Sequence, residues 1–106
     1  MLFVCGRNLR RSPTAERLFS RVPRLEVRSR GIHASAARRI AARDVAWADA
    51  ILVMETEHRW ALVDRFRDSL RGKRVEVLGI PDEYEAMDAE LVELLRQSVC
   101  ALLASG

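Results

Sequence analysis

Cysteine is scarce in this sequence: Cys5 and Cys100 are the only two among 106 residues. Two cysteines cannot staple a small secreted domain, so a disulfide framework is excluded. No hydrophobic run approaches the length of a membrane span. The apolar start, Leu2 to Val4, is too short for a signal peptide and follows no basic stretch. The expected setting is therefore cytoplasmic and reducing, with no membrane partner, where a free thiol survives. The two histidines, His33 and His58, have no third ligand at metal-binding spacing, so no metal is expected. Aromatic residues make up only 6% and are scattered. Nucleic-acid binding calls for a basic stripe interleaved with aromatics, so no nucleic-acid partner is expected. Three prolines and five glycines leave no segment loose enough to act as a linker. With no repeat and no low-complexity stretch, residues 1–106 read as a single domain.

Lysine is almost absent as well. Lys73 stands alone among 18 cationic residues, and the rest are arginine. The formal charge is +3, yet acids are mixed among the arginines along the whole chain. Most of these charges read as solvated helix faces. Hydrophobic residues reach 49% and charged residues 31%, which suits a globular fold with a modest core.

The apolar residues fall into a clear alternation. Leu2-Phe3-Val4-Cys5 is a buried strand ended by Gly6. Ser12 suits a helix N-cap and Pro13 the first helical position, opening a helix to about Arg21. Leu25 to Ser29 reads as a second strand, and the Ala-rich stretch Ala34 to Ala42 as a helix. Ala50-Ile51-Leu52-Val53 is a third strand, followed by a helix over Glu57 to Leu70 with Gly72 at its C′ position. Val75 to Ile80 is a fourth strand, Pro81 to Tyr84 a turn, and Asp88 caps a last helix. Cys100 is expected in the core on that helix, with Trp47 and Trp60 in the core or at its rim. Strands alternating with helices predict an α/β fold: three layers, α/β/α, around a four-stranded parallel sheet. Ligands of such sheets sit beyond the carboxyl ends of the strands, and Cys5, Met54 and Asp82 all fall there.

The loop between the first strand and the first helix carries chemistry. Cys5-Gly6-Arg7-Asn8-Leu9-Arg10-Arg11-Ser12 aims backbone N–H groups at one point, and the helix N-terminus adds partial positive charge. Such a nest holds phosphate. A thiol at its base is a nucleophile in its thiolate form, which helix N-termini and nearby cations favour. Arg11, six residues after Cys5, is placed to grip two phosphate oxygens. Ser12 can hydrogen-bond the sulfur. The backbone from Gly6 through Ser12 is thus the expected phosphate cradle, with the side chains of Arg7 and Arg10 pointing to solvent.

Cys5 to Asn8 and Arg11-Ser12-Pro13-Thr14-Ala15-Glu16 resemble the opening motif of the low-molecular-weight protein tyrosine phosphatases. Ser29-Arg30-Gly31, Asp49 to Glu55 and Asp82-Glu83-Tyr84 are similar to three later motifs of that family. The resemblance implies that Cys5 attacks phosphorus, Arg11 stabilises the transition state, Asn8 holds the loop, and Ser12 stabilises the thiolate. Asp82 would act as general acid, then as base, with Asp88 as the alternative acid. Tyr84 would line the cleft mouth. The implied substrate is a phosphorylated protein or a small aryl phosphate, with no cofactor. The chain departs from the family at Arg10, where the family has a second loop cysteine, and at Glu83, where it has proline. It is also shorter, and it has no clear match to the family's loop-supporting histidine. Two other functions compete. An arsenate reductase on the same fold needs further, suitably placed cysteines, and a non-catalytic phosphate- or phosphopeptide-binding module needs no acid. Nothing in the sequence sets an oligomeric state.

Overall fold

Four short strands form one parallel sheet in the computed structural model, which describes residues 1–105. Strand β1 (Leu2–Cys5) and strand β2 (Arg28–Gly31) flank helix α1 (Arg11–Phe19) in the chain. Helix α2 (Ala42–Trp47), strand β3 (Ala50–Val53), helix α3 (Thr56–Phe66), strand β4 (Arg74–Val77) and helix α4 (Ala89–Ser105) follow. The strand order is β2-β1-β3-β4, with Leu2 opposite Arg28 on one side and Ile51 on the other. The chain leaves β1 toward one edge and then crosses back to the other. The switch of direction therefore lies beside the end of β1, where α/β sheets form their ligand crevice.

The strands are uniformly apolar in the middle of the sheet because both faces are covered. Phe3 and Leu52 face one cluster, in which Ala15 and Phe19 of α1 meet Leu91, Leu95 and Val99 of α4. Leu2, Val4, Ile51 and Val53 face the other, which holds Val45 of α2 and Leu62 of α3. This is the expected three-layer arrangement. The edge strand β4 differs: Val75 and Val77 pack inward while Arg74 and Glu76 pair outside at 3.0 Å.

Several local expectations shift. Strand β2 begins at Arg28 rather than Leu25, because parallel pairing with β1 sets its register; Leu25 and Val27 instead pack against the α1–α4 cluster. Residues 34–41 form turns instead of a helix. Their backbone groups are committed elsewhere: Ala37 N donates to Arg7 O at 2.9 Å, and Arg38 O accepts from Gly31 N at 2.8 Å. Alanine's helical preference is too weak to outweigh such bonds. The helix after β3 ends at Phe66 and continues as a 3₁₀ turn over Arg67–Leu70, with Gly72 following at φ +75 as the chain reverses. Cys100 is exposed on α4, while its neighbour Val99 takes the core position. Trp60 is exposed too, at 70%. No helix among the described residues is long and apolar enough to cross a membrane.

Candidate active site

Cys5 ends β1 with its thiol at the floor of a pocket of about 140 Å³, lined by Cys5, Arg7, Leu9, Arg10, Arg11 and Asp82. Helix α1 starts at Arg11, immediately beyond the loop, so its free N–H groups face the same space. Ser12 is not the N-cap. That position falls on Arg10, whose side chain makes no cap. The Ser12 hydroxyl is used otherwise: Oγ lies 2.9 Å from Cys5 Sγ and accepts from Asn8 Nδ2 at 2.9 Å. Pro13 remains within the first turn, where a missing N–H costs nothing.

Asn8 organises the loop. Its φ of +58 lies in the left-handed region, which asparagine tolerates better than most residues. That turn aims its own N–H at Cys5 Sγ, 3.3 Å away. The Asn8 N–H thus donates to the sulfur, and the Ser12 hydroxyl lies within hydrogen-bond reach of it.

The Asn8 side chain is fixed in turn by residues that sequence reasoning did not assign. Nδ2 also donates to Ser29 Oγ at 3.1 Å, and Oδ1 accepts from Arg38 Nε at 2.9 Å. Arg38 further donates to Ser29 Oγ and Glu16 Oε1, each at 2.7 Å, while Ser29 Oγ donates to Glu16 at 2.9 Å. This closed network ties α1, β2 and the turns after β2 to the loop. Ser29 and Glu16 stand in recognisable motifs; Arg38, thirty positions from Asn8, leaves no such signal. Gly31 lets these parts approach: a Cβ there would lie 2.4 Å from Ala36 Cβ and 2.8 Å from Gly6 O.

Arg11 is 4% exposed, despite its charge. Its NH1 donates to Glu55 Oε2 at 2.8 Å and to the Ile80 carbonyl at 2.7 Å. Nε and NH2 are the donors left for a phosphate, and Nε stands 3.8 Å from Asp82 Oδ1. Glu55, at the N-cap of α3, is another residue that sequence reasoning left without a role. His58 is a further one. It is buried, its Nδ1 accepts from Glu55 N at 3.1 Å, and its Nε2 lies 3.6 Å from Glu55 Oε2. Burial, with the Arg11 charge next, pushes His58 below its ordinary value, so it is neutral at pH 7.

The turn after β4, the acid loop that the family resemblance implies, contributes Asp82, which is exposed and lines the thiol pocket. Asp88 does not compete for that place: its carboxylate accepts from Glu90 N at 2.8 Å and caps α4. Tyr84 corrects an expectation. It does not line the pocket. Its ring packs against the α1–α4 cluster, and its hydroxyl donates to Glu90 at 3.4 Å. Arg7 and Arg10 are exposed to solvent, and both residues contribute to the lining of the pocket. Cys100 lies eleven residues into α4, roughly 16 Å along the helix axis from its start beside the acid loop. Among the described residues, no three His, Cys, Asp or Glu side chains cluster as a metal site.

No family model and no curated protein sequence matches the chain. Solved structures do match. Vibrio vulnificus Wzb in complex with benzylphosphonate is 26% identical, with a TM-score of 0.77 over 99% of this chain and 97% of that one. SP-PTP, a low-molecular-weight protein tyrosine phosphatase from Streptococcus pyogenes, is 20% identical at a TM-score of 0.78, over 98% and 90%. The YwlE arginine phosphatase from Geobacillus stearothermophilus is 21% identical at 0.72, over 98% and 92%. The fold is that of the low-molecular-weight phosphatases, shared by enzymes that act on tyrosine and on arginine.

Proposed function

We propose that this protein is a cysteine-dependent phosphatase that hydrolyses phosphotyrosine or another aryl phosphate monoester. The observation carrying this reading is the meeting of Cys5, Arg11 and Asp82 in one pocket, with Ser12 and the Asn8 N–H on the sulfur. In the first step the Cys5 sulfur attacks phosphorus, the ester P–O bond breaks, and Asp82 gives its proton to the leaving oxygen. Arg11 and the loop N–H groups hold the phosphoryl oxygens as charge gathers on them. In the second step Asp82 takes a proton from water. The water oxygen attacks phosphorus and the P–S bond breaks, returning the thiolate to its donors on Ser12 and Asn8.

The aryl preference rests on the rim. Leu9, 55% exposed, and the planar guanidinium groups of Arg7 and Arg10 offer surfaces on which a ring can stack. The same cations oppose a phosphoarginine substrate, whose own guanidinium would lie among them. An arsenate reductase is disfavoured by the distant placement of Cys100. As a phosphatase, the protein would act in trans on phosphorylated proteins or small aryl phosphates in a reducing compartment.

The test is hydrolysis of an aryl phosphate by the purified chain with chelator and reductant present. Cys5→Ser should fall to background. Asp82→Asn should lose about 10²- to 10⁴-fold, the usual worth of general acid catalysis. Full activity in Cys5→Ser would end the covalent reading.

A further inference from the structure

The rim of the thiol pocket carries a cation that nothing in the protein employs. Arg7 is exposed and is one of the residues that line the pocket with Cys5. It also lines an adjoining cleft, which shares Arg11 and Asp82 and continues past Ile32, His33 and Glu57. The Arg7 backbone is fixed, since its carbonyl accepts from Ala37 N at 2.9 Å. Its guanidinium makes no hydrogen bond or ion pair with the described residues. Arg10, on the same rim, has only Glu85 at 3.6 Å, a pair with both side chains largely exposed. Such surface pairs are weak and readily exchanged. Arg11 differs: it is buried, with NH1 bound to Glu55 and Ile80 O.

We propose that Arg7, with Arg10 beside it, selects phosphorylated proteins that carry an aspartate or glutamate immediately next to the phosphorylated residue. This rests on the phosphatase reading. A pocket of about 140 Å³ is too small for a peptide segment, so the residues flanking the phosphorylated side chain of a protein substrate lie outside it, beside Arg7 and Arg10. An arginine fork pairs with a carboxylate through two parallel hydrogen bonds, which a lysine or a neutral side chain cannot return. The phosphate itself is served by the loop N–H groups and Arg11, leaving the two rim forks for a second anion. Glu55, Glu57 and Asp82 also line the adjoining cleft and repel an acidic residue placed deeper in it, which leaves the rim at Arg7 and Arg10 as the favourable place for a substrate carboxylate.

The experiment compares phosphotyrosine peptides identical except for Asp, Ala or Lys beside the phosphotyrosine, with a small aryl phosphate run in parallel. The full chain, Arg7→Gln and Arg7→Glu are each read as the Asp-to-Lys ratio of kcat/KM, so any loss common to both peptides cancels. The native ratio should be roughly five at low salt, the scale of one exposed ion pair. It should shrink with added salt, approach one in Arg7→Gln and invert in Arg7→Glu. A native ratio near one, or a ratio unchanged in Arg7→Glu, overturns the proposal while the aryl phosphate is still cleaved. Failure of the native chain on the aryl phosphate and on every peptide overturns the phosphatase reading and the proposal with it.

Discussion

Replacing Asn8 separates two ways in which one residue shapes the loop. The side chain donates to Ser12 and Ser29 at 2.9 and 3.1 Å and accepts from Arg38 at 2.9 Å. Each such bond contributes about 1 kcal/mol net, and the charged one more, so their loss costs about 3 kcal/mol. The backbone at φ +58 adds a further term. Alanine there costs about 1 kcal/mol that asparagine largely avoids and glycine avoids entirely. Asn8→Ala should therefore lose about 4 kcal/mol, and Asn8→Gly about 3 kcal/mol. Urea unfolding followed by far-UV circular dichroism reads both, provided the slope with denaturant is unchanged. In a domain of this size, 1 kcal/mol moves the midpoint of thermal unfolding by about 4–8 °C, so the two variants should be resolved by heat as well. Glycine should also keep more turnover than alanine, because it permits the turn that points the Asn8 N–H at Cys5. An Asn8→Ala variant within about 1 kcal/mol of the native chain would refute the network argument. A glycine variant no more stable than alanine would refute the backbone argument.

Three further perturbations bear on the scaffold. Arg38→Ala should lower kcat more than it raises KM for the aryl phosphate, since Arg38 acts on the loop through Asn8; Arg38→Lys should restore little, because one ammonium cannot reach Asn8, Ser29 and Glu16 in the same fork geometry. Gly31→Ala should destabilise by about 1–3 kcal/mol, as an overpacked site does, because the added Cβ meets Ala36 Cβ and Gly6 O; an unchanged urea midpoint would contradict it. His58 links stability to pH: below its ordinary value of 6.5, the unfolded chain takes up a proton that the buried ring refuses. Its contribution is full above that value and is lost as pH falls toward the lowered folded value, so the decline in urea midpoint from about pH 7.5 to about pH 5.5 should be shallower in His58→Gln.

Strands β1 and β3, the helix after the loop and the placement of Cys5 were legible because each depends on near neighbours in the chain. Leu2 to Cys5 reads as buried from its own composition, and Asp88 caps α4 from the position its sequence suggests. What could not be read depends on partners far away. Residues 34–41 look helical by themselves, yet their hydrogen bonds go to Arg7 and Gly31. Ser12 looks like a cap until Asn8 and Cys5 claim its hydroxyl. Tyr84 sits where a cleft-lining aromatic is expected, but the α1–α4 cluster takes its ring. Arg38 illustrates the limit most sharply. Among so many arginines, nothing local marks the one that reaches Asn8.

Within the loop itself, burial divides the work. Asn8, Arg11 and Ser12 are 4%, 4% and 0% exposed, and each makes side-chain hydrogen bonds within the fold. These positions hold the thiol and the proposed phosphate site in one geometry, and changing any of them strands a buried partner. Arg7, Leu9 and Arg10 are exposed and carry almost no internal bonds, yet they surround the same pocket. A substitution there costs the fold little and alters what the substrate meets. On the proposed phosphatase reading, chemistry and selectivity are thus separable on a single eight-residue loop, from Cys5 to Ser12. Exchanges at Arg7, Leu9 and Arg10 should change the ranking of substrates at nearly constant urea midpoint, whereas exchanges at Asn8, Arg11 and Ser12 should lower turnover of every substrate together. A rim substitution that lowered all substrates equally would show that the exposed side chains also hold the loop in shape.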